Sequence, residues 1–223
     1  MFGLTLTRDT AQEHVALLDP ALGRALLWQR LDVVGTDLAV VDQQLNAADG
    51  VTVTGGVLPY CLHYRLRRDP DGGCTTLSVS AEGAGWRRRV HLQRDAAQWR
   101  VDTHESGDLD AALRRVGRPE APLAGIDDTD RLDAVGEIAV ARAPLFATLP
   151  RRHSAATAPT NARVGLVVPP SLAVVVVDSQ RQPLPGGGVR IESETGNATI
   201  SFDRDGYVNH WPGVARRAPI DLA

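Results

Sequence analysis

Short segments in which apolar and polar residues alternate recur along most of the chain, and this pattern restricts it to a β-sheet fold. In residues 61–67, Leu62, Tyr64 and Leu66 alternate with polar residues. A period of two places successive side chains on opposite faces of a strand. A strong turn signal at residues 69–73 follows this segment, which predicts an antiparallel meander. Similar alternation occurs in residues 51–54, 76–80, 90–92 and 99–101.

The C-terminal part predicts a β-hairpin. Apolar and polar residues alternate in 198–203, and an Asp-Gly turn follows at 204–206. Residues 207–211 are then predicted to form the second strand of the hairpin. We expect Ile200, Phe202 and Val208 to face the core, and Ser201, Asp203, Asn209 and Trp211 to share the opposite face. The β-branched segment 172–177 predicts a strand buried on both faces.

The middle of the chain predicts less regular structure. Residues 108–116 begin with aspartates and end with arginines, which suits a short helix and its dipole. Residues 117–135 are polar and contain prolines, so we expect an exposed loop there. With 223 residues and 43% hydrophobic content, the whole chain, 1–223, is expected to form one domain, with 105–135 as an insertion.

Composition argues against several functions. The 24 basic residues are all arginine and are outweighed by 27 acidic residues, so the net charge of −3 argues against nucleic-acid binding. The histidines are scattered without metal-ligand spacing, and no phosphate-binding glycine loop occurs, so we expect no metal and no cofactor.

The expected compartment is the cytoplasm, with reduced thiols. Cys61 and Cys74 are too few for a disulfide framework, and residues 1–14 lack the apolar region of a secretory signal. The longest aliphatic run, 172–177, is far shorter than the ~20 residues that span a bilayer, so we expect no transmembrane segment.

Several segments resemble the bacterial "putative glycolipid-binding" family. The end of the chain, 202–213, is similar to that family's terminal signature, with an Asp-Gly turn and a closing Trp-Pro-Gly. Residues 143–152 resemble its Ser-Pro, Leu-Pro and Arg-Arg segment, and residues 28–31 with Gly35 resemble its opening strand. Tyr64 and the Gly85-Trp86 pair also fit. The resemblance extends over about 26–217 and is poor in 105–135.

This resemblance implies a mainly β fold, a large curved antiparallel sheet or half-barrel with a few short helices, similar to bacterial lipoprotein carriers. Its concave face would hold a lipid or glycolipid. The chain departs from the family's polar pattern at Glu137, Ala139, Ala141 and Ala147, which implies that it has altered or lost part of such a cavity. The residues expected to bind the ligand are Trp28, Arg30, Tyr64, Trp86, Thr148, Arg151, Arg152, Asp203 and Trp211.

Three functional hypotheses follow. The first is non-covalent binding of an amphipathic molecule, with Arg151 and Arg152 meeting an anionic or sugar head group. The second is a hydrolase-like enzyme that acts on a small hydrophobic or glycosidic substrate, with Asp203 and His210 as acid and base. The third is a structural interaction module without a ligand. The sequence favours a binding protein over an enzyme and leaves the oligomeric state open.

Overall fold

The structure, a computed structural model, describes residues 23–96, 98–153 and 158–219, without the side chains of residues 151–153. The described chain forms a single sheet of fourteen strands. These strands are β1 Arg24–Arg30, β2 Gly35–Val41, β3 Ala47–Thr54, β4 Tyr60–Arg68, β5 Cys74–Gly83, β6 Trp86–Asp95, β7 Gln98–Gly107, β8 Glu137–Val140, β9 Thr160–Val168, β10 Ala173–Pro183, β11 Val189–Ser193, β12 Gly196–Phe202, β13 Val208–Trp211 and β14 Ala215–Ala218.

The sheet is a meander in two halves that meet at β1 and β14. Its order is β7-β6-β5-β4-β3-β2-β1-β14-β13-β12-β11-β10-β9-β8. Every neighbouring pair is antiparallel except β8 and β9, which are parallel. The described helices are α1, Leu109–Arg115, α2, Pro144–His153, and a 3₁₀-helix, Thr129–Leu132. The mainly β, antiparallel fold class expected from the sequence is therefore confirmed.

The sheet is open but strongly rolled, so that its two ends overlap. β6 is second and β10 twelfth in the strand order, and ten spacings of ~4.8 Å would separate them by about 48 Å in a flat sheet. Arg88 in β6 nevertheless donates to the carbonyl of Ser171, directly before β10, at 3.3 Å, and to that of Pro122 at 2.6 Å. The last strands therefore lie inside the curve of the first ones.

This overlap covers both faces of β8 and of the parts of β9 and β10 that lie next to it. Residues paired across neighbouring strands share a face, so Trp28 in β1 marks the inner face of the whole sheet. The outer-face residues Ile138, Val167 and Val174 join one buried cluster with the inner-face residues of β4 to β6. The inner-face residues of β8 to β10 point instead toward a separate hollow.

Several local predictions are confirmed. In β4, Leu62, Tyr64 and Leu66 are buried, and the residues between them are exposed. The hairpin of β12 and β13 forms around the Asp-Gly turn. One part of that prediction was wrong: a register shift between Ser201 and Phe202 pairs Ser201 with His210, so Trp211 lies on the opposite face from Ser201. The predicted short helix is α1, whose N-cap side chain, Asp108, accepts a hydrogen bond from the Ala111 amide at 2.7 Å.

Two local predictions need correction. In segment 172–177, Val174 and Val177 are buried on opposite faces, as expected. Val175, however, is 39% exposed, because the neighbouring strand β11 does not extend far enough along β10 to cover it. Segment 117–135 exposes its aspartates as expected, yet Leu132 and Val135 are buried in the core. The segment is therefore anchored to the sheet through these two side chains.

Among the described residues, no helix is long and apolar enough to cross a membrane.

Candidate ligand cavity

A cavity of about 530 Å³ opens on the inner face of the sheet, between strands β8 to β13 and helix α2. The cavity lies on the inner side of the sheet. The pairing between neighbouring strands puts its lining residues Val164, Val177 and Ile191 on the same face as Trp28. The overlapping end of the sheet supplies one side of the cavity and the C-terminal hairpins supply the other. The rolled fold therefore creates this space directly.

One side of the cavity, the apolar wall, consists of side chains from β8, β9 and α2. Phe146 and Ala147 belong to the first two turns of α2, and the remaining residues alternate along the two strands. No charged side chain lies in this wall, so it suits a hydrocarbon chain. Its members are Ala139, Phe146, Ala147, Val164, Leu166 and Val168.

Strands β10 to β12 form the opposite side and supply the polar side chains, which we call the polar wall. Arg181 binds Glu137 in β8 through two hydrogen bonds of 2.6 Å, a bidentate ion pair that crosses β9. Ser179 is 7% exposed and pairs in register with Ser193. The polar side chains of this wall are those of Ser179, Arg181, Ser193, Thr195 and Asn197, and the same strands also contribute Val177, Ile191 and Ala198.

A network of charges borders the mouth of the cavity. Arg142, which follows β8, has a positive φ of 61° and lines the cavity. Its guanidinium donates to Asp32 at 2.7 Å and to the Gly213 carbonyl at 2.9 Å. Arg30 binds the same Asp32 at 2.6 Å. Burial alone would raise the pKa of Asp32, but the two guanidiniums outweigh that effect and lower it.

The expected site residues fall into three groups, and the first group borders the cavity. Trp211 lines it directly. Arg30 is not a described lining residue, but its Nη1 donates to the carbonyl of Arg142, which lines the cavity, at 3.2 Å. Arg151 and Arg152 continue α2, but their side chains lie outside the described part of the structure. Their role with a ligand head group therefore stays a prediction.

The second group lies behind the cavity, in the packed interior. Trp28 is fully buried, and its indole Nε1 donates to the Val208 carbonyl at 2.8 Å. The Val208 amide donates to Thr148 at 3.2 Å, so α2 is fixed to β13. Trp28 and Thr148 are not among the described lining residues, and they hold the helix and hairpin that form the walls.

Tyr64 belongs to a buried polar cluster beneath α2. Its ring meets Phe146 edge-on at 5.2 Å, and its hydroxyl lies 3.5 Å from Asp37. Thr52 donates to the same carboxylate at 2.6 Å. Burial raises the pKa of Asp37 to about 6. Burial and the neighbouring Asp37 carboxyl together raise the pKa of Tyr64 well above its ordinary value. Tyr64 thus reaches the cavity only through Phe146.

The third group is remote from the cavity. Trp86 is buried at the start of β6, 6.1 Å from the ring of Tyr60, and borders a shallow depression beside the β5–β6 turn. Asp203 accepts hydrogen bonds from the amides of Asp205 and Tyr207, both at 2.9 Å, within the β12–β13 turn. His210 is exposed, and neither Asp203 nor His210 is a described lining residue.

The turn geometry gives a testable consequence for Asp203. Asp203→Ala removes the acceptor of two backbone amides, so we expect the free energy of unfolding to fall by about 1–2 kcal/mol. Asp203→Asn, which keeps the accepting oxygen, should retain most of that stability. Urea denaturation of the three proteins measures both effects. An equal loss for the two variants would indicate that the negative charge, rather than the turn hydrogen bonds, is required.

Several lining residues were not expected from the sequence. Ser179 and Arg181 belong to a strand whose alternation shows only that they share a face with Val177. Glu137 and Arg181 are 44 residues apart, so their spacing contains no signal of the ion pair. Ala139 and Ala147 were noted only as departures from the family pattern, and both line the cavity.

Comparison with known proteins identifies the family. The sequence profile of the family described as "Putative glycolipid-binding" matches residues 25–217. The chain belongs to this family. The crystal structure of a DUF1089 family protein from Pseudomonas aeruginosa has a similar fold, with a TM-score of 0.61 and 20% identity over 82% of this chain and 92% of that one. No curated protein matches the sequence significantly.

Proposed function

We propose that this member of the glycolipid-binding family holds one amphipathic small molecule, a lipid or glycolipid, in the cavity between α2 and strands β8 to β13. The observation that carries the proposal is the division of that cavity into an apolar wall and a polar wall. A ligand with an apolar chain and a polar head matches such a division. The expected ligand site thus lies in the C-terminal half of the sheet.

The size and shelter of the cavity support this proposal. Its volume of about 530 Å³ lies within the range of roughly 300–1,000 Å³ that small-molecule sites occupy. Helix α2 is held by Thr148 and by the buried contacts of Leu145 and Leu149, so the apolar wall exists before a ligand binds. A preformed wall reduces the entropy lost on binding. We also propose a cytoplasmic location, as expected from the unpaired cysteines Cys61 and Cys74.

Filling the cavity should abolish ligand binding without unfolding the protein. Ala147→Trp places an indole in the space beside Phe146, so we expect affinity for an alkyl glucoside to fall at least about tenfold, which is ~1.4 kcal/mol. Isothermal titration calorimetry measures the affinity, and circular dichroism checks the fold. Native mass spectrometry of the purified wild-type protein should also detect a co-purifying lipid-sized ligand.

Gln180→Trp is the matched control for this experiment. Gln180 is exposed and lies on the outer face of β10, so the variant adds an indole outside the cavity. We expect it to bind the probe as the wild type does. Equal affinity in the wild type and in a folded Ala147→Trp variant would contradict the proposed function, as would the absence of binding in all three proteins.

A further inference from the structure

The charge of the polar wall is already neutralised within the protein. Arg181 and Glu137 form two hydrogen bonds of 2.6 Å, and their side chains are only 17% and 34% exposed. A bidentate pair of this kind is strong and fixes the guanidinium plane. An anionic head group at this wall would meet a cation that is already paired, and it would lie next to the Glu137 carboxylate.

The guanidinium of Arg181 offers little to a ligand. Its Nη1 and Nη2 bind Glu137, and its Nε, which has no acceptor among the described residues, is buried where an atom in the cavity cannot reach it. Hydrogen bonds to a head group therefore fall to the uncharged polar side chains of the same wall. Ser179, two residues earlier on the same face of β10, lines the same cavity and can both donate and accept.

The second lining arginine does not reverse this balance. Of the described residues that line the cavity, Arg142 and Arg181 are the two that carry a charge. The side chain of Arg142 is 52% exposed at the mouth, and its guanidinium binds Asp32. Solvent and salt screen an exposed charge, so its contribution to binding an anion is small.

From this arrangement, and resting on the proposed function, we propose that the polar wall binds an uncharged head group that bears hydroxyl groups. The Ser179 hydroxyl makes a hydrogen bond to the head group, and the other uncharged polar side chains of the wall, those of Ser193, Thr195 and Asn197, supply further partners. The ion pair of Arg181 with Glu137 acts as a specificity determinant because it keeps the wall electrically neutral. Ligands with a sulfate, phosphate or carboxylate head are therefore bound more weakly than neutral ligands with the same chain.

The test compares three probes that share an eight-carbon chain: octyl glucoside, octyl sulfate and octyltrimethylammonium. Each is titrated into the full chain below its critical micelle concentration, and the affinity is measured by calorimetry. We expect the glucoside to bind at least about tenfold more tightly than the sulfate, which corresponds to ~1.4 kcal/mol. The cationic probe, whose head bears no hydrogen-bonding group, should bind at least as weakly as the sulfate.

Two variants examine the mechanism of this preference. Glu137→Gln leaves Arg181 uncompensated, so affinity for octyl sulfate should rise at least about tenfold. Ser179→Ala should lower affinity for the glucoside and leave the sulfate unaffected. Asp178→Asn is the matched control, because this exposed aspartate pairs with Arg163 on the outer face of β9 and β10. It removes the same charge and should leave the preference between probes unchanged.

The outcomes separate the two proposals. Binding of no probe would contradict the proposed function itself. Equal binding of the glucoside and the sulfate, or tighter binding of the sulfate, would preserve a ligand cavity but overturn the neutral-head inference. If Glu137→Gln does not fold, the Ser179→Ala result decides, and an unchanged glucoside affinity in that variant overturns the inference.

Discussion

Replacing Trp28 with alanine is expected to lower the free energy of unfolding by about 3–5 kcal/mol, the usual cost of removing a large aromatic side chain from a core. Trp28 has no exposed surface, and the Arg217 guanidinium lies 5.0 Å from its ring. Its indole also donates to the Val208 carbonyl at 2.8 Å, which ties β1 to the hairpin that borders the cavity. Urea denaturation measures the loss.

Trp28→Phe is the companion variant, because it removes the indole donor and keeps most of the buried aromatic volume. We expect it to lose about 1–3 kcal/mol, since the buried Val208 carbonyl would lack the indole hydrogen bond. A loss below about 1 kcal/mol for Trp28→Ala would show that the residue is not part of a closed core. In that case a direct role of Trp28 in ligand binding would become the better explanation of its position.

Replacing Asp37 with asparagine is expected to stabilise the protein at pH 7.5 by up to about 3 kcal/mol. Burial raises the pKa of this carboxyl to about 6, whereas its ordinary value is 3.8. At a pH between these two pKa values, the folded state holds a proton that the unfolded state has released. The free energy of unfolding therefore falls as the pH rises from about 4 to about 6. Two pKa units correspond to roughly 3 kcal/mol, and the full penalty applies above pH 6.

The pH dependence of the Asp37→Asn effect distinguishes this account from a general change in packing. The gain should be present at pH 7.5 and absent at pH 4, where the wild-type carboxyl is protonated in the folded state. Asp32→Asn should have the opposite sign, because a lowered pKa means that the Asp32 carboxylate stabilises the fold at neutral pH. A destabilised Asp37→Asn protein at pH 7.5 would contradict the account. Chemical denaturation at both pH values provides the comparison.

The sequence predicted the strands well because strand alternation is a local signal. The buried set Leu62, Tyr64 and Leu66 and the turn near Asp205 depend on neighbours within a few residues. The rolled overlap was not predictable in this way. It depends on accumulated curvature that brings β6 to the turn before β10, and Arg88 and Ser171 are 83 residues apart.

The candidate site was harder to predict than the fold. An inward-facing residue of a strand can belong either to a packed core or to a cavity wall, and alternation does not distinguish the two. Trp28 lies in the core and Trp211 lines the cavity, although both are partly apolar and face inward. The polar wall depends on an ion pair between β8 and β10, which only the folded arrangement brings together.

The central claim is that an amphipathic ligand places its chain against the apolar wall. The most direct measurement is the detection of intermolecular nuclear Overhauser effects between bound octyl glucoside and the methyl groups of the protein. We predict contacts from the octyl chain to Ala139, Ala147 and Leu166, which line the cavity. Contacts confined to the outer-face residues Leu38 and Val53, which are 40% and 46% exposed, would contradict the claim.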